Sequence, residues 1–409
     1  MSSSKPAQPI PERTGAVFFV RVACRELKQM SIDNGMSIGR LCTDGGVFFF
    51  DRDRFDNTTL GRGLRDNEQV TIGAHRLADG SAWLHWLARS NGDIWAPEAD
   101  RRPWLAPLAL LLSPLPVLAA LALPTAVNIF VVLLQIALCS VAGFTVLWAV
   151  YRLVVQLHPG RRKVAGGLQA FRAGELAPLH EPPALRSPDK LQLADGLHGG
   201  LGVLQDTLTG VAVAFRTYGS GRTSYSVHEY RLACAGELFS LRTGAWELRR
   251  FIDPILIRRA PLFLAAGDHV SLLSLVVDGE VRGLLNGNDG LAHVTYKGTG
   301  NTPVARRFVL GIAAFFMVVL PAMGISFEIY DWYARGVGPD YWDWVGLLRL
   351  NAGMLLIVTL ILSGLGLIGA LVHYVYMRRR TDRPIEKILG IAFAWRQRAG
   401  RSPVINEFS

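Results

Sequence analysis

The chain has 409 residues, enough for two or three domains, and half of them are hydrophobic while only 19% are charged. Its formal net charge of +10 comes almost wholly from arginine. Many of those arginines flank apolar runs, so orientation at a membrane accounts for them better than nucleic acid does. Cys24, Cys42, Cys139 and Cys234 form no Cys-x-x-Cys and no Cys/His metal spacing, which reads as reduced, buried thiols.

Residues 1–12 are polar and proline-rich with no apolar core, so they read as a disordered tail rather than a secretory signal peptide. Residues 13–100 hold short β-branched and aromatic runs, Gly15-Ala-Val-Phe-Phe-Val-Arg-Val22, Gly46-Val-Phe-Phe-Phe50 and Ala82-Trp-Leu-His-Trp-Leu87, punctuated by Gly, Asp and Asn. That pattern predicts a small β domain. Residues 103–157 are apolar and too long for one span, since about 20 residues cross a bilayer core. A break at Pro124-Thr-Ala-Val-Asn128 divides them into a predicted transmembrane hairpin, Trp104 to about Leu123 and about Ile129 to Val155.

Residues 158–196 form a Pro- and Arg-rich linker, with an amphipathic helix expected around Gly167–Glu175 that would lie on a membrane surface. Residues 197–302 repeat the β-type pattern in Val211-Ala-Val-Ala-Phe-Arg216, His228-Glu-Tyr-Arg-Leu-Ala233, Gly236-Glu-Leu-Phe-Ser-Leu241 and His269-Val-Ser-Leu-Leu-Ser-Leu-Val-Val277. Residues 307–377 read as a second hairpin, and residues 378–409 as a basic cytoplasmic tail. Trp332, Tyr333, Tyr341, Trp342 and Trp344 crowd the loop between its spans as an interfacial aromatic belt. Arg101, Arg102, Arg152, Arg161, Arg162 and Lys163 flank the first hairpin, and Arg306, Arg307, Arg378, Arg379, Arg380 and Arg383 flank the second. The positive-inside rule then predicts a bacterial inner-membrane protein with both termini and both β domains cytoplasmic.

The two β blocks share a layout offset by close to 200 residues. Asp66-Asn-Glu-Gln-Val70, Asp79-Gly80 and Asn91-Gly-Asp93 in the first correspond to Ala266-Gly-Asp-His-Val270, Asp278-Gly279 and Asn288-Asp-Gly290 in the second. Asp-Gly between apolar runs is a hairpin signal because Gly accepts positive φ. An internal duplication of small OB- or SH3-like barrels follows.

No nucleophile elbow, Walker loop, dinucleotide fingerprint, HExxH or paired Cys-x-x-Cys is present. Gly219-Ser-Gly-Arg222 lacks the Lys-Ser/Thr and the helix of a phosphate loop and reads as a hairpin turn. His85, between Trp83 and Trp86, and His269, after Asp268, have no neighbouring nucleophile or second ligand. Both read as packed or solvated histidines. Of the polar residues in the apolar runs, Asn128, Gln135, Asn351 and His373, only Gln135 is deep, and one amide suits an interhelical hydrogen bond. Gly324, Gly364, Gly366 and Gly369 offer a shallow helix face for packing or homo-oligomerisation. No catalytic, cofactor-binding or metal-binding residue is assigned, and no cofactor is expected.

From Leu208 to Asn288 the chain runs Leu-Thr-Gly-Val-Ala-Val-Ala-Phe-Arg, a strand pair, Arg-Arg-Ala-Pro-Leu-Phe-Leu-Ala-Ala-Gly-Asp-His-Val and a terminal Gly-Asn-Asp-Gly. Followed by an apolar hairpin, this resembles the membrane proteins labelled type VI secretion system effectors, over roughly half the chain. It departs from them in having two such units. The resemblance implies a role beside a contact-dependent secretion system, as effector or protective partner, and transfers no site residues.

The fold class expected is therefore mixed: four transmembrane helices as two hairpins, with two β-rich barrel domains. The expected function is a non-enzymatic inner-membrane scaffold or interaction protein. Its expected partners are the lipid bilayer, an unidentified protein and a second copy, with no nucleic acid. The alternatives are a permeabilising toxin acting through oligomerised hairpins and a sensor reading a ligand through Glu328–Trp344.

Overall fold

In the computed structural model the described residues are 13–32, 36–55, 64–97, 104–122, 129–179, 191–218, 225–244, 253–275, 280–295, 383–398 and 404–408, with isolated positions between 332 and 368. Strand alternation explains the first domain. In β3 (Val47–Asp51) the side chains of Phe48 and Phe50 point into the domain's own core, while Val47 and Phe49 point to a core shared with the second domain. A strand buried on both faces reads as a continuous apolar run, as Val-Phe-Phe-Phe does.

The first sheet has the order β3-β2-β1-β4-β5-β6, with β1 (Val17–Ile32), β2 (Met36–Thr43), β4 (Gln69–Arg76), β5 (Ala82–Arg89) and β6 (Ile94–Trp95). Parallel pairing of β3 with β5, Phe48 opposite Ala82 and Phe49 opposite Trp83, closes β1 to β5 into a five-stranded barrel. Closure removes the sheet edges that would otherwise invite pairing with other chains. The interior is filled by Phe18, Val20, Val22, Leu41, Phe48, Phe50, Ile72 and Leu84.

The second sheet has eight strands. Its path is β10-β9-β8-β11-β12-β13-β14, with β7 on the side of β8. These are β7 (Gly196–His198), β8 (Leu201–Tyr218), β9 (Tyr225–Cys234), β10 (Glu237–Gly244), β11 (His269–Leu275), β12 (Val281–Asn286), β13 (Leu291–Thr295) and β14 (Asn406–Phe408). The order β10-β9-β8-β11-β12-β13 matches that of the first sheet strand for strand. Each sheet starts from a long strand broken by a bulge, at Cys24/Glu26 and at Leu208/Gly210. Each has a second bulge, at Gly73/Ala74 and at Leu273/Ser274.

The joining turns match as well. Cys24 N–H donates to the Glu68 carbonyl (2.9 Å) and Asn67 N–H to the Cys24 carbonyl (2.7 Å); Leu208 N–H donates to Asp268 (2.8 Å) and Gly267 N–H to Leu208 (2.7 Å). Asn67 and Gly267, at φ 62° and 81°, take the same left-handed turn position, which Asn and Gly tolerate best. Among the described residues the second sheet shows no strand pair that closes it.

The expected four-helix membrane architecture is overturned. Five helices are described: α1 (Leu105–Leu112), α2 (Pro114–Ala122), α3 (Ile129–Leu157), α4 (Pro159–Arg172) and α5 (Arg383–Arg398), and the described chain is mostly β. Pro114 and Pro116 cut the first expected span at Ser113 into pieces of 8 and 9 residues. At about 1.5 Å per residue, each reaches under half of a hydrocarbon core of about 30 Å. No single helix among the described residues is long and apolar enough to cross a membrane. Val141–Leu157 passes that test only with Pro159–Arg172, across a 48° bend. The multi-pass inner-membrane localisation and the N-in, C-in topology expected from the basic clusters fall with it. Most of the second expected hairpin, 307–377, lies outside the described residues, as do Asn128, Asn351 and His373.

The amphipathic helix expected to lie on lipid is α4, and it lies on the barrel instead. His158 caps it, its ring Nδ1 accepting from Gly160 N–H (3.1 Å), and Pro159 occupies the first turn. Phe19, Trp86 and Phe171 then stack in sequence, with ring centroids 5.8 and 5.7 Å apart. Gly167 lets the helix approach, because a Cβ there would sit 2.0 Å from the Phe19 ring. At the other end of the chain, Ile385, Ile388, Ala392 and Trp395 form one face of α5 and pack on Val203, Leu273, Leu285 and Val294. Beyond α5, β14 joins the second sheet parallel to β13.

Replacing Gly167 with Val should lower stability by about 1–3 kcal/mol, the usual cost of forcing atoms into a packed contact. Urea unfolding checks it, and an unchanged midpoint would show that α4 is not docked on Phe19.

Candidate functional site: a buried polar joint between the two β domains

One apolar core runs through both domains. Met30, Ile38, Val47, Phe49, Leu77 and Trp83 of the barrel pack with Leu208, Leu232, Leu241, Phe263, Leu272 and Leu284 of the second domain. Charged groups sit inside this seam. Arg40, on the outward face of β2, is fully buried. Its guanidinium donates from Nη1 to Asp268 Oδ2 (2.9 Å), from Nη2 to Asp268 Oδ1 (2.6 Å) and from Nη1 to Asp289 Oδ2 (3.1 Å). This forked pairing of guanidinium and carboxylate adds geometric specificity to charge. The guanidinium also lies 4.7 Å from the centroid of the Phe263 ring.

The remaining capacity of both carboxylates is taken locally. Asn286 Nδ2 donates to Asp268 (3.0 Å) and Asp289 (3.1 Å), Lys28 Nζ to Asp268 (3.1 Å), Ala265 N–H to Asp268 (3.1 Å) and Leu291 N–H to Asp289 (2.9 Å). Burial pulls the Arg40 guanidinium down, but Asp289 and Asp268 outweigh it and its pKa rises. Burial also opposes the charge on Asp268, and Arg40 and Lys28 reverse this, holding its pKa low. Asp289 has a single bond to Arg40 and complete burial, and its pKa is pushed up to about 6. The neighbouring Cys42 thiol is pushed up to about 12, mainly by burial, so it is not a nucleophile at neutral pH.

A second polar knot lies on the same seam. The Asp79 carboxylate accepts from Ser81 N–H (2.9 Å), Ala260 N–H (3.1 Å) and Asn406 Nδ2 (2.9 Å). The Asp79 carbonyl accepts from Arg396, whose guanidinium also donates to the Gly290 carbonyl (3.1 Å). One turn of the barrel thereby holds the extended segment before β11, the helix α5 and the strand β14.

His85, flagged by its setting between two tryptophans, is buried and bonded to His75 (Nε2 to Nδ1, 2.8 Å). His75 Nε2 lies 2.7 Å from the Ile257 carbonyl, which can only accept, so Nε2 carries the proton and Nδ1 accepts from His85. Burial lowers both pKa values, that of His75 to about 4, and the pair is neutral at pH 7. It forms another link between the domains. His269 is exposed at the start of β11, with Nδ1 3.0 Å from the Thr207 hydroxyl. Gly219–Arg222 lies outside the described residues. Trp332 and Trp344 meet edge to face at 5.1 Å; Tyr333, Tyr341 and Trp342 lie outside.

Sequence reading missed Arg40, Asn286, Arg396 and Asn406 entirely. It singled out Asp268, Asp289 and Asp79 only as turn formers. Their side chains do serve the turns, and the same oxygens also take long-range donors. Among the described residues no group of three or more His, Cys, Asp or Glu is placed to hold a metal ion. The small apolar cavity in the barrel, lined by Leu27, Leu41, Phe50, Leu84 and Trp95, holds space for about one water. No known family model matches the chain, and no curated protein resembles it detectably. Fold and joint define it as a two-domain β protein with a charged, buried seam.

Arg40→Met should destabilise the protein by about 3–5 kcal/mol, because both aspartates stay buried without their cation; chemical denaturation measures it. Asp289 has a folded pKa above its ordinary value, so its ionisation opposes folding, and stability rises as pH falls from 7.5 through 6. The His75 shift works the other way below pH 6.5, removing stability as pH falls toward 4. The stability of the native protein minus that of Asp289→Asn isolates the first term. It should rise as pH is lowered from 7.5 to 5, and a flat difference would contradict the assignment.

Proposed function

We propose that the chain is a non-enzymatic interaction protein whose two β domains act as one rigid platform. The observation that carries this reading is the joint itself: Arg40, Asp268 and Asp289 are spent on one another across the domain boundary. A catalytic carboxylate or histidine needs an open approach for a reacting atom, and these groups face protein on every side. The platform carries an apolar flank, with Leu111, Leu115 and Leu118 of α1 and α2 and Phe144, Leu147 and Leu157 of α3 exposed. An exposed apolar area of that extent marks a surface used for contact with another molecule.

A setting beside a type VI secretion system, as effector or protective partner, rests on the layout from Leu208 to Asn288 alone. Expression in bacterial cells separates the two roles, since an effector-type toxin arrests the cells and a protective or scaffold protein is tolerated.

The reading is tested by assaying the purified full chain against ester, phosphodiester, peptide and glycoside reporters, and by cross-linking it in cells. It expects no turnover above buffer and a stoichiometric protein complex that Leu111→Ser with Leu115→Ser disrupts. Turnover that is lost in His85→Ala would overturn it.

A further inference from the structure

The shared topology of the two sheets gives each residue of one domain a counterpart in the other. Thr43 pairs with Cys24 and Cys234 with Leu208, at the bulge that starts the second half of each long strand. Three residues back along the shorter strand, Arg40 lies opposite Lys28, and Arg231 lies opposite Ala212. Arg231 is therefore the counterpart of Arg40. By the same registers Leu238 is the counterpart of Val47, Ser240 of Phe49 and Arg242 of Asp51.

The two equivalent faces have opposite fates. In the barrel, the face of Arg40, Val47 and Phe49 is covered by the turns of the second domain that carry Asp268 and Asp289. In the second domain, the matching face on β8, β9 and β10 is open: Arg231 is 56% exposed, Arg216 52% and Leu238 80%. Arg216, Arg231 and Arg242 surround one carboxylate, Glu229, at 3.8, 3.9 and 3.8 Å. Arg242 also reaches Glu280 (3.4 Å), so the face sets three arginines against two carboxylates and keeps its excess of positive charge at Arg216 and Arg231, floored by the small side chains of Ala212, Ala214 and Ser240.

The turns matching those of Asp268 and Asp289 lie at the end of the barrel. There, Glu68 is the counterpart of Asp268 and is held within its own domain by Arg89 (2.9 Å), leaving Asp66, Asn67, Asn91 and Asp93 exposed. Each chain thus carries an exposed basic face on the second domain and exposed acidic side chains, Asp66 and Asp93, on the matching barrel turns, although the direct counterparts of Asp268 and Asp289 are Glu68, bonded to Arg89, and Gly92.

We propose that copies of this chain associate head to tail, the Asp66 and Asp93 turns of one barrel docking on the Arg216–Arg231–Arg242 face of the next copy. Such a contact is heterologous, so it builds rings or open filaments instead of a closed two-fold dimer. Arg231 takes the role that Arg40 plays within the chain, and Leu238 supplies the apolar anchor that Val47 supplies there. The proposal goes beyond the scaffold reading and requires no external partner.

Light scattering on the full chain over a concentration series, in 50 and 500 mM salt, tests the idea. Mass should grow with concentration at low salt and fall to the monomer at high salt, since rim charge pairs are screened. Arg231→Glu alone and Asp66→Lys with Asp93→Lys should each weaken association about tenfold or more. All three positions are exposed, so the variants keep their circular dichroism spectra. Mixing the two variants is the decisive arm: one retains an intact face and the other an intact turn pair, so the mixture should associate at concentrations where neither variant does alone. A native chain that stays monomeric at low salt would overturn the proposal. So would undiminished assembly in Arg231→Glu, which would assign association to the apolar helical flank. Failure of the mixture to pair, or capture of an acidic peptide by the basic face without self-association, would overturn it equally.

Discussion

Three charged side chains buried together set the terms for the rest of this molecule. Taking Arg40, Asp268 and Asp289 out of water costs several kcal/mol per ion, and that cost is offset only if the geometry is good and the remaining donors and acceptors are satisfied. The second domain supplies both carboxylates, the barrel supplies the guanidinium and Lys28, and Asn286 bridges the two acids. Neither domain could bury its own share alone. The joint therefore ties the fold of each half to the presence of the other, which a purely apolar seam of the same area would do less selectively.

Specific docking follows from the same chemistry. An apolar face of Ile38, Val47 and Phe49 would accept many surfaces, whereas a buried guanidinium accepts only one that brings carboxylates to it at the right spacing. The Asp79 knot adds a further restriction by holding α5 and β14 against both domains through Arg396 and Asn406. The chain that leaves the second sheet after Thr295 returns to lie beside the strand it left, with His293 opposite Asn406. Chain ends and turns, the parts usually left to solvent, here carry the polar contacts that fix the arrangement.

The apolar helices show where hydropathy stops being informative. Residues 104–157 are apolar enough to predict a bilayer hairpin, but hydropathy does not register where a helix breaks or what lies beyond it. Pro114 divides the first stretch, and past Leu157 the chain bends at His158 into a polar helix that stacks Phe171 on Trp86. Aromatic stacking on the barrel wall and a glycine at the point of closest approach decided the position of α4. Its amphipathic pattern is the same whether the apolar face meets lipid or Phe19.

The sequence by itself determined the strand-rich character of both soluble blocks, the turns at Asp79-Gly80 and Gly267-Asp268, and the matching spacing of the two halves. These are local properties, set by β-branched and aromatic alternation and by residues that accept positive φ, and they are legible wherever a few neighbouring positions suffice. Tertiary structure alone decided that the first sheet closes into a barrel, that Arg40 is buried while its counterpart Arg231 is exposed, and that the turn aspartates bind a cation from the other domain. Arg40 and Asp268 are separated by 228 positions, and Arg396 and Asp79 by 317. No local pattern distinguishes a surface arginine on a strand from one that will meet two buried acids, because its environment is made by a partner surface that exists only once both domains have folded.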